Sequence, residues 1–132
     1  MGRAKVTVAP RRQTRYVWSP EGNVPAIEID PSEVKRRLDA GEKIRMVDVR
    51  EPFEHQQAHI AGAELIPMRS VPQSLEPLRA GDGQLVLFCH HGMRSLQVTE
   101  WLRRQGLEDS VSMAGGIDRW SLEIDPAVPR YH

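Results

Sequence analysis

The chain has 132 residues, 39% of them apolar, and its 18 basic side chains match its 18 acidic ones. That suffices for one domain with a single core and no staples, and a lone cysteine excludes an internal disulfide. No segment resembles a signal peptide and the apolar runs are too short to cross a bilayer, so the expectation is a soluble, cytoplasmic protein.

The charge balance is uneven along the chain. Residues 1–20 carry Arg3, Lys5, Arg11, Arg12 and Arg15 and no acid, leaving 13 basic against 18 acidic residues in the remainder. Scattered charges with Pro10 and Pro20 and no amphipathic repeat describe a solvated arm, not a nucleic-acid or membrane binder. Residues 16–25 continue it as an extended linker that lays Trp18 against the domain, so residues 1–25 are expected to be arm and linker.

Residues 26–29 alternate as a short strand. Asp30, Pro31 and Glu33 then predict a helix with Asp30 as its cap, an apolar stripe at Val34 and Leu38, and a stop at Gly41. Residues 44–49 form the next strand, with Asp48 and Arg50 at its C-terminal end, where open parallel sheets keep their ligand sites. A short helix over 51–58 opens at Pro52, a strand covers 63–66, and a capped helix bracketed by Pro72 and Pro77 covers 70–78. After the Gly81-Asp82-Gly83 turn, Gln84–Phe88 is the most hydrophobic strand and is expected at the centre of the sheet. Val98, Trp101 and Leu102 mark a buried helix face ended by Gly106, residues 111–113 a last strand, and Gly115-Gly116 a turn into a short helix bearing Trp120. Residues 125–132, with Pro126 and Pro129, are expected to be an extended tail. Strands alternating with helices predict an α/β domain over residues 26–124 with a mainly parallel sheet.

The chemistry gathers at Cys89-His90-His91-Gly92-Met93-Arg94, where the central strand turns into a helix beginning near Ser95. Loop N–H groups and the first turn of that helix converge there on one sulfur and favour a thiolate, so Cys89 is the candidate nucleophile. The alternative is an inert buried cysteine, since free cysteines are among the residues most often buried.

Cys-x-x-Gly-x-Arg after a buried strand resembles the active-site loop of the rhodanese-type sulfurtransferases. Val47-Asp48-Val49-Arg50-Glu51, with Glu54 and His59-Ile60-Ala61-Gly62-Ala63, is similar to the family's first signature, and Ala114-Gly115-Gly116-Ile117-Asp118-Arg119-Trp120 resembles its last. The resemblance implies a five-stranded sheet with helices on both faces. It also implies that Cys89 carries sulfane sulfur as a persulfide, from a donor such as thiosulfate to a thiophilic acceptor such as cyanide or a thiol, with no metal or organic cofactor. His90, His91, Gly92, Met93 and Arg94 are then the substrate-binding loop, Asp48 and Arg50 its supports. His59 is expected to pack, although Ala58 stands where the family commonly has glycine.

Arg94 is read either as a fixed positive charge for the sulfur or as a tie to a carboxylate. Arg50 is expected to pair with Glu54 or another carboxylate, and Asp48 to accept hydrogen bonds from the loop. His90 and His91 are expected at the pocket rim, drawing anions by partial positive charge or serving as loop filler. A Cys-His-His metal site fails because consecutive residues rarely converge on one ion. A phosphatase reading fails because the spacing from Cys89 to Arg94 makes a loop one residue short of one that wraps an oxyanion. The rival function is a protein-to-protein persulfide relay, towards which residues 125–131 point by resembling the ending of rhodanese domains of sulfur-carrier activating enzymes.

Overall fold

The computed structural model describes residues 24–132, so the basic arm and Trp18 lie outside the described residues. The elements are β1 (Glu28–Ile29), α1 (Pro31–Asp39), β2 (Ile44–Asp48), α2 (Pro52–Gln57), β3 (Glu64–Leu65), α3 (Leu75–Ala80), β4 (Gln84–Phe88), α4 (Met93–Arg104), β5 (Val111–Met113) and α5 (Gly116–Glu123). The five strands form one parallel sheet in the order β1-β5-β4-β2-β3, with the hydrophobic β4 at its centre.

Burial of β4 on both faces explains its continuous apolar run, and the period-two geometry of a strand divides that run between two cores. Val86 and Phe88 join Val34 of α1 and Ile117 and Trp120 of α5 on one face. Leu85, Leu87 and the next residue in that alternation, Cys89, join Leu78 of α3 and Val98 and Leu102 of α4 on the other. Each such side chain contributes roughly 1.5–3 kcal/mol by leaving water. The cysteine is therefore planted at the end of a strand fixed from both sides.

Local details differ from the sequence expectation. Asp30 stands at the N-cap of α1, but its carboxylate makes no capping bond and instead accepts from Arg119 Nη1 at 3.3 Å. Glu33 is likewise drawn off by Arg36 and Arg37. The buried stripe of α1 runs through Val34 and Arg37, whose guanidinium reaches Gln84 Oε1 at 2.6 Å, whereas Leu38 is exposed. The single helix expected over 70–78 is two 3-10 turns, Met68–Ser70 and Pro72–Ser74, followed by α3. Pro72 has no N–H to extend a preceding helix, while Pro77 falls in the first turn of α3, where no N–H is needed. Among the described residues no helix is long and apolar enough to cross a membrane.

Candidate active site

Helix α4 begins at Met93, with Gly92 at its N-cap in the left-handed region at φ +108°. Gly92 has no side chain to cap the free N–H groups of the first turn, and the Cys89 sulfur takes that place. Its Sγ accepts from Gly92 N–H at 3.1 Å and Ser95 N–H at 3.4 Å, and lies 3.5 Å from Ser95 Oγ. Ser95 Oγ also meets Ser112 Oγ of β5 at 2.8 Å and Gly92 O at 3.2 Å. When Ser112 donates to Ser95, the one Ser95 hydroxyl proton is shared between Gly92 O and an anionic sulfur as alternative acceptors. The N-terminal end of α4 adds its dipole to these donors. Cys89 is only 1% exposed, so these groups act on it with little competition from water.

The loop shows its N–H groups to the sulfur because its carbonyls are engaged elsewhere. Ile117 N–H donates to Cys89 O at 2.9 Å and Asp118 N–H to His90 O at 3.1 Å, so the first turn of α5 takes the outward side of the loop. This contact explains the Gly115-Gly116 pair. A Cβ on Gly116 would sit 2.4 Å from Cys89 O and 2.5 Å from His90 O, and its φ of +63° is already in the left-handed region.

Arg94 sets its fork on Glu54, at 2.7 and 2.9 Å. That pair lowers the Glu54 carboxyl to about 2 against the opposing effect of burial, and raises Arg94 beyond its already high value. Of the two roles open to Arg94, the tie to a carboxylate is the one its geometry presents.

Asp48 and Arg50, both fully buried, pair with each other at 2.6 and 2.8 Å. Arg50 spends all five N–H donors, the others going to Ala58 O, Glu54 O and Tyr131 Oη. Burial opposes its charge, but the bonds to Asp48 and Tyr131 outweigh it and the guanidinium is raised. Of the carboxylates open to Arg50, Glu54 or another, Asp48 is its partner, and Glu54 is left for Arg94. Asp48 accepts from Arg50 and stands 3.4 Å from His55 Nδ1; among the described residues no hydrogen bond joins it to the Cys89 loop. Ala58 meets no conflict where glycine was expected, since its φ of −162° is extended backbone. His59 stacks on His55 with ring centroids 5.0 Å apart.

The histidines part company. His91 and Met93 are exposed on the rim, while His90 is half-buried, stacked between His91 and Tyr131 at centroid distances of 3.9 and 4.0 Å. Burial, with His91 adding, pushes His90 down from its usual range, which disfavours the positive charge that was one of the two roles open to it. Its Nε2 is buried without a hydrogen-bond partner. The potential metal ligands that converge here are His90, His91 and Asp118, not Cys89, and Arg130 already occupies both Asp118 oxygens at 2.8 and 3.2 Å.

Tyr131 was read from sequence only as part of the extended tail, and its place beside the loop was not foreseen. Its hydroxyl donates to Glu54 Oε2 at 2.9 Å and accepts from Arg50 at 3.0 Å. Ser95 and Ser112 were also missed; the position of Ser95 in the first turn of a helix, one residue beyond the Cys-x-x-Gly-x-Arg loop, was the available signal.

Residues 30–123 match the family described as rhodanese-like domain. The chain is 37% identical over 105 residues to a probable adenylyltransferase/sulfurtransferase, MoeZ, of Mycobacterium tuberculosis, which covers 78% of this chain but only 26% of that protein. It thus spans about a quarter of that relative. It is 34% identical over 99 residues to the putative sulfurtransferase YtwF of Bacillus subtilis, covering 75% of this chain and 94% of that one. A crystal structure of a rhodanese-related protein from Thermoplasma volcanium matches with a TM-score of 0.68 at 30% identity, over 80% of this chain and 100% of that one. Because the family match runs from the residue before α1 to the end of α5 and encloses the whole sulfur loop, the chain belongs to the rhodanese-like domain family.

Proposed function

We propose that the protein is a sulfurtransferase that carries sulfane sulfur as a Cys89 persulfide, taken from a donor such as thiosulfate and passed to a thiophilic acceptor. The observation that carries this reading is the convergence of Gly92 N–H and Ser95 N–H on a cysteine sulfur. In the first half-reaction the Cys89 thiolate attacks the outer sulfur of thiosulfate; a Cys89 S–S bond forms, the donor S–S bond breaks, and sulfite leaves with the electron pair. In the second, cyanide or a thiolate attacks the outer persulfide sulfur and Cys89 leaves as thiolate. Negative charge stays near the loop in both halves, where fixed N–H donors stabilise it without reorganising. No proton moves at the attacking atom, so the step needs neither a base at His90, whose charged form burial disfavours, nor a free Arg94, which Glu54 occupies.

A second reading, a relay that takes persulfide from one protein and delivers it to another, is favoured by the rim. Phe53 and Met93 flank the Glu54–Arg94 pair in sequence and are 62% and 71% exposed, an apolar margin that a small anion does not use.

Incubation with thiosulfate followed by intact mass measurement tests the first reading. The expected result is a gain of one sulfur atom, discharged by cyanide as thiocyanate and absent from Cys89→Ser. No gain from thiosulfate, but a gain from a persulfide-charged desulfurase, selects the relay. No gain from either overturns both.

A further inference from the structure

Residues 125–132 contain no helix or strand, yet they are tied down along their length. Ala127 N–H bonds Asp125 Oδ1 and Val128 N–H bonds Asp125 O, making a turn that delivers Val128 into the core around Trp120. Val128 O accepts from Ser121 Oγ, and Arg130 clamps Asp118 on α5. These contacts bring Tyr131 to Arg50, 81 positions away in the chain.

We propose that Tyr131 is a positioning residue of the Cys89 loop: its hydroxyl joins the buried Asp48–Arg50 pair to the Glu54–Arg94 pair, and its ring backs His90. The loop is thereby held at both ends. Arg94, in the first turn of α4, is fixed through Glu54, whose Oε2 needs a donor in addition to the guanidinium. His90, next to the nucleophile, is fixed by a ring lying 4.0 Å away and 10° from parallel. Between these two points lies Gly92, whose N–H donates to the sulfur. The charged and titratable groups facing Tyr131 are Arg50 and Glu54 at the hydroxyl and His90 at the ring. Burial pushes the phenol up to about 12, so the hydroxyl keeps the proton it donates to Glu54.

A phenol is suited to this task in a way its neighbours in size are not. It accepts from a cation and donates to an anion through one oxygen, while its ring stacks. Phenylalanine keeps the stack and loses both hydrogen bonds.

The inference rests on Cys89 as the sulfur carrier, but its test is read at the loop itself. Hydrogen exchange at the Gly92 and Ser95 amides is compared in the wild type, Tyr131→Phe and Tyr131→Ala, together with kcat and KM for sulfur loading and with thermal unfolding. In Tyr131→Phe we expect protection at those two amides to fall about fivefold or more while β4 amides such as Leu87 keep theirs. The same variant lowers kcat by a similar factor and leaves KM for the donor unchanged; Tyr131→Ala goes further in the same direction. Unchanged protection and unchanged kcat in Tyr131→Phe overturn the proposal, and so does a loss spread evenly over the β4 amides. If Tyr131→Ala does not fold, Tyr131→Phe decides alone. If no donor loads the wild-type protein, the sulfur-transfer reading falls and the exchange pattern still decides the role of Tyr131.

Discussion

The Cys89 sulfur accepts from neutral donors, the Gly92 and Ser95 N–H groups, and has the Ser95 hydroxyl 3.5 Å away. The network beside it, from Asp48 through Arg50, Tyr131 and Glu54 to Arg94, is built from charges that face one another. The difference separates two tasks. A free cation against a nucleophilic sulfur would hold every anion it met, product included. Fixed main-chain dipoles stabilise charge on the sulfur without supplying a competing ion. Paired charges in a dry interior do the opposite: they add little net stability but tolerate one geometry only.

The comparison is broken most severely from the charged side. Arg50→Ala leaves the Asp48 carboxylate buried without its guanidinium partner, and we expect a loss of about 3–5 kcal/mol in stability, read by denaturant unfolding. Arg50→Lys should recover little, because one ammonium cannot replace the five N–H donors that Arg50 uses.

Gly116→Ala attacks the seam between the two arrangements. The new methyl meets the Cys89 and His90 carbonyls at a backbone angle that suits glycine, for an expected cost of about 1–3 kcal/mol. Sulfur loading should fall by more than unfolding accounts for, since the same contact turns the loop N–H groups inward. Equal losses in both measurements would show that the seam serves the fold alone.

The smallest expected effect is a dependence on acid. The Glu54 carboxyl titrates at about 2 when folded against 4.5 ordinarily, so its stabilisation is complete above pH 4.5 and is lost as pH falls towards about 2. After allowance for its partly solvated Arg94 partner this is worth about 1–2 kcal/mol. Acid unfolding of the wild type should steepen across that window, and Glu54→Gln should flatten it. An identical acid limb in both proteins would mean that Arg94 holds the loop without help from the charge on Glu54.

What was legible in the sequence follows the range of the forces involved. The buried β4 run, the strand-to-helix turn at Cys89 and the glycines at 92, 115 and 116 are local signals, and each falls where the chain requires it. The partners of the charges were not legible. Asp48, Arg50 and Glu54 lie within seven residues, yet Glu54 turns to Arg94, 40 positions on, and Tyr131 closes the network from 81 positions beyond Arg50. Asp30 failed as a side-chain cap for a similar reason, since Arg119 of a distant helix competes for its carboxylate. Residue types showed that these charges needed partners, but only the folded sheet decides which ones meet. Nor was the neighbour that packs on His90 legible, since the Tyr131 ring reaches it from far along the chain.

A cradle assembled from main-chain donors has one further consequence. His91 and Met93 occupy the loop without lending their side chains to the sulfur, and both face outward. Substitution can redraw the contact surface at those two positions while the peptide groups beneath keep their directions, so recognition and reactivity are free to change on separate evolutionary schedules.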